Sequence, residues 1–572
     1  MERSDTKAST HSRPLSEAIR ITPASVPASI STHRKHIRTA EGTHMNGLEL
    51  AVLVGSVIVV GGWIAERIHV SPPIVLLVLG GILGFIPLFS EVELPPDLVL
   101  LLFLPALLYW EALNTSWREI RRNARVILLQ SIPLVLVTAG VVALIGHAFG
   151  LPWSVAIALG AIVAPTDATA MASVAGRLPR RFQTILRTES LINDGTALAL
   201  YSVAVAAAVL ERDINFGEGT LRFVASYAGG IAIGAAIAFL AIGLRKLVRG
   251  RLLVNTISVL TPFLAYLPAE LVHVSGVVAV VTTGLVVGHF GPTVIMASAR
   301  NQAYSFWGLT SFLLNCTLFV LVGLQLHSVV EDIDGDWDVA LALGLLVTLA
   351  VILVRIVWGY TTPYIIRVLD RRPSQRLRRV GARQRLPIAW AGFRGAVSLA
   401  AALALPTTLE NGDAFPGRDL IIAVTTIVIL VTLIVQGSTM AAIVRFGQLP
   451  PDPTEAAEFK LAEVTALKAV VEALPAEAER LNAPDELRDL LNQEYTRRLE
   501  EFEHDGEESE AQGAAADVDR EAPLRLALLS VKRSAVIKLR NSNEIDDTIL
   551  RRIQSRIDLE EIRLSRATSE DE

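Results

Sequence analysis

The sequence predicts an all-α polytopic membrane protein of about 13 transmembrane helices with a helical soluble tail. Three observations predict it. Of the 572 residues, 52% are hydrophobic and the mean hydropathy is +0.47, above the about 45–50% apolar content of a soluble domain. Apolar runs near the length that crosses a bilayer recur from residue 48 to residue 446. The loops between these runs alternate between basic and acidic, as they do when successive segments cross in opposite directions. A single cysteine, Cys316, excludes a disulfide framework and a cysteine-based metal site within the chain.

Residues 1–44 are rich in Ser, Thr, His and Arg without apolar periodicity. They are expected to be disordered, and their four histidines have no supporting ligands around them. They lack the apolar stretch of a signal peptide. Met45 stands directly before the first apolar run, which points to translation starting there. The apolar runs then span 48–66, 74–90, 96–113, 126–149, 153–176, 190–210, 221–244, 253–270, 275–291, 304–327, 338–366, 386–406 and 419–446.

Arginines concentrate between runs 3 and 4 (Arg118, Arg121, Arg122, Arg125), 5 and 6 (Arg177, Arg180, Arg181, Arg187), 7 and 8, and 11 and 12. The alternate loops are acidic or neutral. The positive-inside rule puts the basic loops and the C-terminus in the cytoplasm and the N-terminus outside. Residues 451–572 hold 30 acids and 17 bases, a net charge of −13, against +8 for residues 1–450. The stretches 455–503 and 521–565 read as helices, 501–520 as a linker, and the charge runs as solvated faces. No catalytic motif stands in this tail, so a regulatory or structural role is expected of it.

Ionisable groups inside apolar runs carry the chemistry, because each is costly there and marks an ion or proton path. If Arg187 marks the cytoplasmic end of run 6, Asp194 lies roughly 10 Å into the membrane. Asp167, ten residues before Arg177, lies roughly 15 Å in by the same rise. Ser190 and Asp194 share one helix face. Glu189 and Asn193 share another, about 100° round. Pro165 breaks run 5, and a break lining a cavity frees carbonyls to coordinate a cation. Thr166 adds a hydroxyl. Such hard oxygen donors suit Na⁺, and the same carboxylates hold a proton when the metal is absent.

Arg394, in run 12 between Gly392 and Gly395, needs a buried anion, and Glu189 is the expected partner. Run 12 then becomes the counterpart of run 5, with runs 1–6 and 8–13 as two inverted six-helix repeats whose broken helices cross near the midplane. Glu111 belongs either to the site or to the membrane surface. Asn193 reads as an organiser of the break. Arg355 either pairs with an acid or sits near a helix end. Glu270 and His273 are expected at a solvated helix end.

Ala164-Pro165-Thr166-Asp167, Arg187 through Thr196, and Phe393-Arg394-Gly395-Ala396-Val397-Ser398 together resemble the monovalent cation/proton antiporters. They are most similar to the bacterial and archaeal sodium/proton exchangers with an Asn-Asp pair. Leu104 through Leu113, Ser275 through Ala279 and Asn315 through Gly323 extend the resemblance, which covers about residues 48–446. It implies Asp194 as the main ion- and proton-binding carboxylate, with Asp167, Thr166, Ser190 and Glu111 as its partners. Glu189 with Arg394 is implied as a structural pair.

The resemblance further implies electroneutral exchange of Na⁺, Li⁺ or K⁺ for H⁺, a role in pH and sodium homeostasis, and no cofactor beyond the transported ions. It implies a homodimer in a bacterial inner membrane and no nucleic-acid partner. Runs 1–3 and 7–10 would form the dimer interface, and runs 4–6 and 11–13 the moving core, all within a 45–450 antiporter domain. An intramembrane aspartyl protease using Asp167 and Asp194 as a dyad would need neither the broken helix nor Arg394. A cation channel would show a filter loop or a repeated acidic ring, and the sequence has neither.

Overall fold

The computed structural model describes residues 47–86, 89, 99–167, 178–210, 216–248, 250–332, 337–369, 381–449, 453–504 and 518–567. The expectations for residues 1–44, for the second half of run 5 and for most of the 501–520 linker therefore lie outside the described residues. The described residues are helical, with one isolated bridge between Thr408 and Ala414. In chain order the membrane helices are α1 (Gly47–Ile68), α2 (Pro72–Gly84), α3 (Val99–Asn114), α4 (Trp117–Ala148), α5 (Trp153–Val163), α6 (Arg180–Val209) and α7 (Phe216–Leu247). Then come α8 (Arg251–Leu271), α9 (Gly276–Phe290), α10 (Ala297–Leu324), α11 (Trp337–Leu369), α12 (Ala382–Trp390), α13 (Ala396–Leu403) and α14 (Arg418–Gly447). Among the described residues, nine helices are long and apolar enough to cross a bilayer and three apolar ones are shorter.

Two starts differ most from the expected boundaries. α4 begins at Trp117 instead of 126, and α6 at Arg180 instead of 190. In α4 the reason is a cap: Ser116 Oγ accepts from Glu119 N at 3.1 Å, satisfying a donor orphaned at the helix start. Arg118, Arg121, Arg122 and Arg125 thus sit on the first three turns of α4, and Arg180 and Arg181 on the first turn of α6, while Arg177 lies outside the described residues. Arg187 is exposed well inside α6 and does not mark its end.

Proline sets one of the lateral contacts. Pro133, inside α4, has no N–H, which releases the carbonyl four residues back. That carbonyl, of Leu129, accepts from the indole Nε1 of Trp358 in α11 at 2.9 Å. A bond lost within one helix is thereby recovered between two. Elsewhere, α2 lies against α10 so closely that a Cβ on Gly80 would strike the backbone of Val320. This is small-residue packing of the kind that holds membrane helices together.

The tail forms α15 (Pro453–Arg480), α16 (Asp485–His504), α17 (Val518–Asn541) and α18 (Asp547–Ala567). Its apolar faces close on two shared cores, one around Ile549, Ile553 and Val536 and one around Leu474, Leu491 and Leu528. Not all of its charge is solvated. Asp546, Asp547 and Asp558 are buried against the membrane helices, because each meets an arginine or a helix end there.

Candidate functional site

The site is built where two helices fail. α5 stops at Val163, ahead of Pro165, and residues 164–167 run on without helical structure. α12 stops at Trp390, and residues 391–395 are likewise irregular before α13 begins. The two interruptions cross, with the Asp167 amide donating to the Phe393 carbonyl at 2.8 Å. At the crossing Gly395 is required by space, since a Cβ there would fall on the Asp167 carboxylate. Gly395→Ala is expected to displace Asp167 and sharply lower cation exchange with the protein still produced, as measured in vesicles against immunoblotted amount. Wild-type exchange by that variant would mean that Asp167 need not stand where it does.

Arg394 closes the crossing. Its Nε donates to the carbonyl of Val163 at 2.9 Å and its Nη2 to that of Ala164 at 3.4 Å. Its Nη1 bonds the carbonyl of Gly392, and its own amide donates to Thr432 Oγ1 at 3.3 Å. One buried guanidinium therefore satisfies carbonyls that both breaks release.

The expected pairing of Arg394 with Glu189 is thus corrected. Glu189, fully buried, pairs with Arg355 of α11 through Nη1–Oε1 at 2.5 Å. The physical reason is the supply of acceptors. The breaks offer Arg394 bare carbonyls at close range, whereas Arg355 sits mid-helix in α11, where the backbone carbonyls are engaged in the helix itself and only a side-chain anion can serve. The two guanidiniums remain neighbours, because a Cβ on Gly392 would touch both.

α6 supplies the opposite wall. Ser190 Oγ donates to the Thr166 carbonyl at 2.7 Å, and Asn193 Nδ2 donates to Thr166 Oγ1 at 3.1 Å. Thr166 is held from both faces of α6, which ties the α5 break to that helix. Asn193 thus ties α6 to the α5 break, one turn beyond Glu189. Asp194 sits one turn beyond Ser190 on the same face and is 7% exposed.

Asp194, Asp167, Ser190, Thr166, Pro165 and Glu111 all line one cavity of about 540 Å³, a volume that includes its open mouth. The charges of Asp167 and Glu111 both bear on Asp194. Of the two alternatives for Glu111, the structure places it in the cavity wall. The structure brings together every site residue the sequence singles out, with Glu189 and Arg394 set behind the cavity rather than against each other.

Sequence reasoning missed the role of Arg355. The argument applied to Arg394, that an arginine inside an apolar run needs a buried anion, finds Arg355 equally well. It also missed the apolar half of the cavity wall, Leu104, Leu107, Leu108, Leu318 and Phe319; nothing in a run of leucines distinguishes a cavity wall from a lipid face. The described residues hold no group of three or more His, Cys, Asp or Glu set to grip a metal ion. A cation held here would draw on hydroxyl and amide oxygens beside its carboxylates.

Known proteins resemble this chain in sequence and in fold. The family model described as sodium/hydrogen exchanger, transmembrane, matches residues 55–446. A protein of Mycobacterium tuberculosis (strain H37Rv) named as an uncharacterized Na(+)/H(+) exchanger is 45% identical over 523 residues, 91% of this chain and 96% of that protein. The uncharacterized Na(+)/H(+) exchanger YjcE of Escherichia coli K12 is 30% identical over 514 residues, 85% of this chain and 93% of that protein. The structure of the sodium proton antiporter MjNhaP1 from Methanocaldococcus jannaschii superposes with a TM-score of 0.55 at 20% identity, covering 70% of this chain and all of that one. That last likeness bears on the fold.

Proposed function

The chain belongs to the sodium/hydrogen exchanger family and is a multi-pass cation/proton antiporter; from that premise we propose a one-for-one exchange of Na⁺ for H⁺ at Asp194. The observation that carries the reading is the position of this carboxylate. It faces a cavity at the crossing of two helix breaks, while the buried arginines nearby are engaged elsewhere, Arg355 by Glu189 and Arg394 by carbonyls. The charge that neutralises Asp194 is therefore the cargo, a cation or a proton.

Asp167, Ser190, Thr166 and Glu111 complete the coordination, and Asn193, Glu189, Arg394 and Pro165 hold its shape. Because one carboxylate carries either species, one cation moves per proton and no net charge crosses. The site opens to each side in turn by movement of α4–α6 and α11–α14 against α1–α3 and α7–α10, the latter forming the face of a homodimer. Li⁺ and K⁺ fall within the range that hard oxygen donors accept. The transported ions are the only ligands in this reading, which makes the protein a transporter rather than an enzyme. Residues 451–572 face the cytoplasm and the N-terminus faces outward. Supporting this orientation, the tail meets the basic starts of α4, α6 and α10, all on one side of the protein.

The test is dequenching of a pH-sensitive dye in everted vesicles on addition of Na⁺, Li⁺ or K⁺. Cation-driven proton movement is expected within pH about 6 to 9, the range open to buried carboxylates. Its loss throughout that range would overturn the reading. Since H⁺ and Na⁺ compete for the same oxygens, turnover is expected to fall toward acid pH and to recover there with more Na⁺. Collapsing the membrane potential is expected to leave the rate unchanged. A potential-dependent rate would rule out one-for-one exchange without touching the site assignment.

A further inference from the structure

We propose that the tail is a clasp, tying the moving and stationary parts of the membrane domain together in one arrangement and slowing exchange until its hold on one part is released. This rests on the two-part movement proposed above. The contacts on the moving side come from α15 and the start of α18. Glu458 Oε1 meets Arg118 of α4 at 3.1 Å and its Oε2 meets Arg180 of α6 at 3.3 Å. Asp546 also pairs with Arg180. Arg180 is the first residue of α6, the helix that carries Asp194.

On the stationary side, Asp558 of α18 takes Arg300 of α10 in a two-pronged bond, to Nε at 2.7 Å and to Nη2 at 2.6 Å. Arg551 donates to the Asn114 carbonyl, at the last residue of α3, at 2.7 Å. Asn114 lies one turn from Glu111 in the cavity wall. A tail fixed to one part alone would ride with it; this tail is fixed to both.

The joint between the two parts, the α3–α4 corner, is held most closely. Ser116 Oγ donates to Asp546 Oδ2 at 2.6 Å, and the Trp117 amide donates to Asp547 Oδ2 at 3.1 Å. Carboxylates thus sit at the start of α4 and a guanidinium at the end of α3, each matching the helix dipole it meets. These are not solvated surface pairs, which contribute little. Arg300 is 7% exposed and Asp558 2%, and two-pronged arginine–carboxylate bonds out of water are strong and directional. A tether that fits one relative position of two bodies stabilises that position and disfavours every other.

The test uses the full chain in vesicles. Asp558 also meets Arg533 within the tail at 3.1 Å, and Arg300 also donates to the Pro292 and Ile295 carbonyls; Arg300→Gln detaches the stationary side and leaves the tail's own pair in place. It is expected to raise the initial rate of Na⁺-driven proton movement about fivefold, the low end of ordinary coupling between sites. Hydrogen exchange of the 542–560 backbone is expected to rise with it. Arg300→Lys, which keeps a positive charge against Asp558, should hold both readouts nearer to wild type. If Arg300→Gln does not accumulate, Glu458→Gln, which loosens the moving side, carries the same expectation. Faster hydrogen exchange in the tail with a transport rate at or below wild type would overturn the clasp. A wild type with no cation-driven proton movement would instead overturn the ion site, so the two failures are told apart.

Discussion

Asp194→Asn is expected to reduce Na⁺-driven proton movement to the background of vesicles without the protein, with the variant still reaching the membrane. Asn keeps the shape of Asp and removes the charge, so the cavity and the Ser190 and Asn193 bonds to Thr166 are left in place. An amide cannot take up the proton, and it offers a cation a dipole where a full charge stood. The measurement is dye dequenching at saturating Na⁺, with thermal melting of the purified variant as the control for folding. Melting near wild type with no exchange supports Asp194 as the carrier. Exchange retained by a folded variant would move that role to Asp167 or Glu111, the other carboxylates of the cavity.

Arg355→Ala has the largest expected effect on stability. Glu189 is fully enclosed, and Arg355 is the only cation among the described residues within ion-pair distance of it. Removing one partner of a buried pair leaves an uncompensated charge and costs about 3–5 kcal/mol. The variant should melt well below wild type in detergent, or fail to accumulate. The double replacement Arg355→Met with Glu189→Leu removes both charges at similar volume and should recover much of the loss. The comparison with Arg394 is informative. Arg394 is bound to carbonyls, so Glu189→Leu should not repair Arg394→Met. A repair by Glu189→Leu in that background would restore the pairing that the sequence suggested.

The membrane-spanning plan was legible in the sequence because lipid imposes a coarse rule. Runs of apolar residues, the loop charges and Pro165 each follow from the cost of a bare backbone or charge in hydrocarbon. The face of α6 was legible too, since a helix turns by a fixed angle and Ser190 must stand above Asp194. What the sequence did not reveal is which of two arginines meets Glu189. Both Arg355 and Arg394 lie in apolar runs, and both need acceptors. The choice depends on where carbonyls lie bare, which is settled only when the two breaks cross. The helix starts at Trp117 and Arg180 were hidden for a related reason. Their first turns are polar and stand clear of the lipid, so hydropathy says nothing about them. The docking of the tail was not legible at all. A run of alternating charge reads the same whether its partner is water or an arginine over three hundred residues away in sequence, as for Asp546 and Arg180.

The bond between Trp358 and the Leu129 carbonyl has a mechanical consequence. Sliding α4 past α11 by one residue, about 1.5 Å, would leave that carbonyl bare where no water can reach it, at a cost of several kcal/mol. The two helices are therefore pinned in register. The wall of Leu104, Leu107, Leu108, Leu318 and Phe319 is the opposite kind of surface. Its contacts are dispersion alone, without direction, so a shift there exchanges one set of apolar neighbours for another and passes through no unsatisfied state. The molecule thus separates bolted seams from a lubricated one, and the lubricated seam runs along the cavity that holds Asp194.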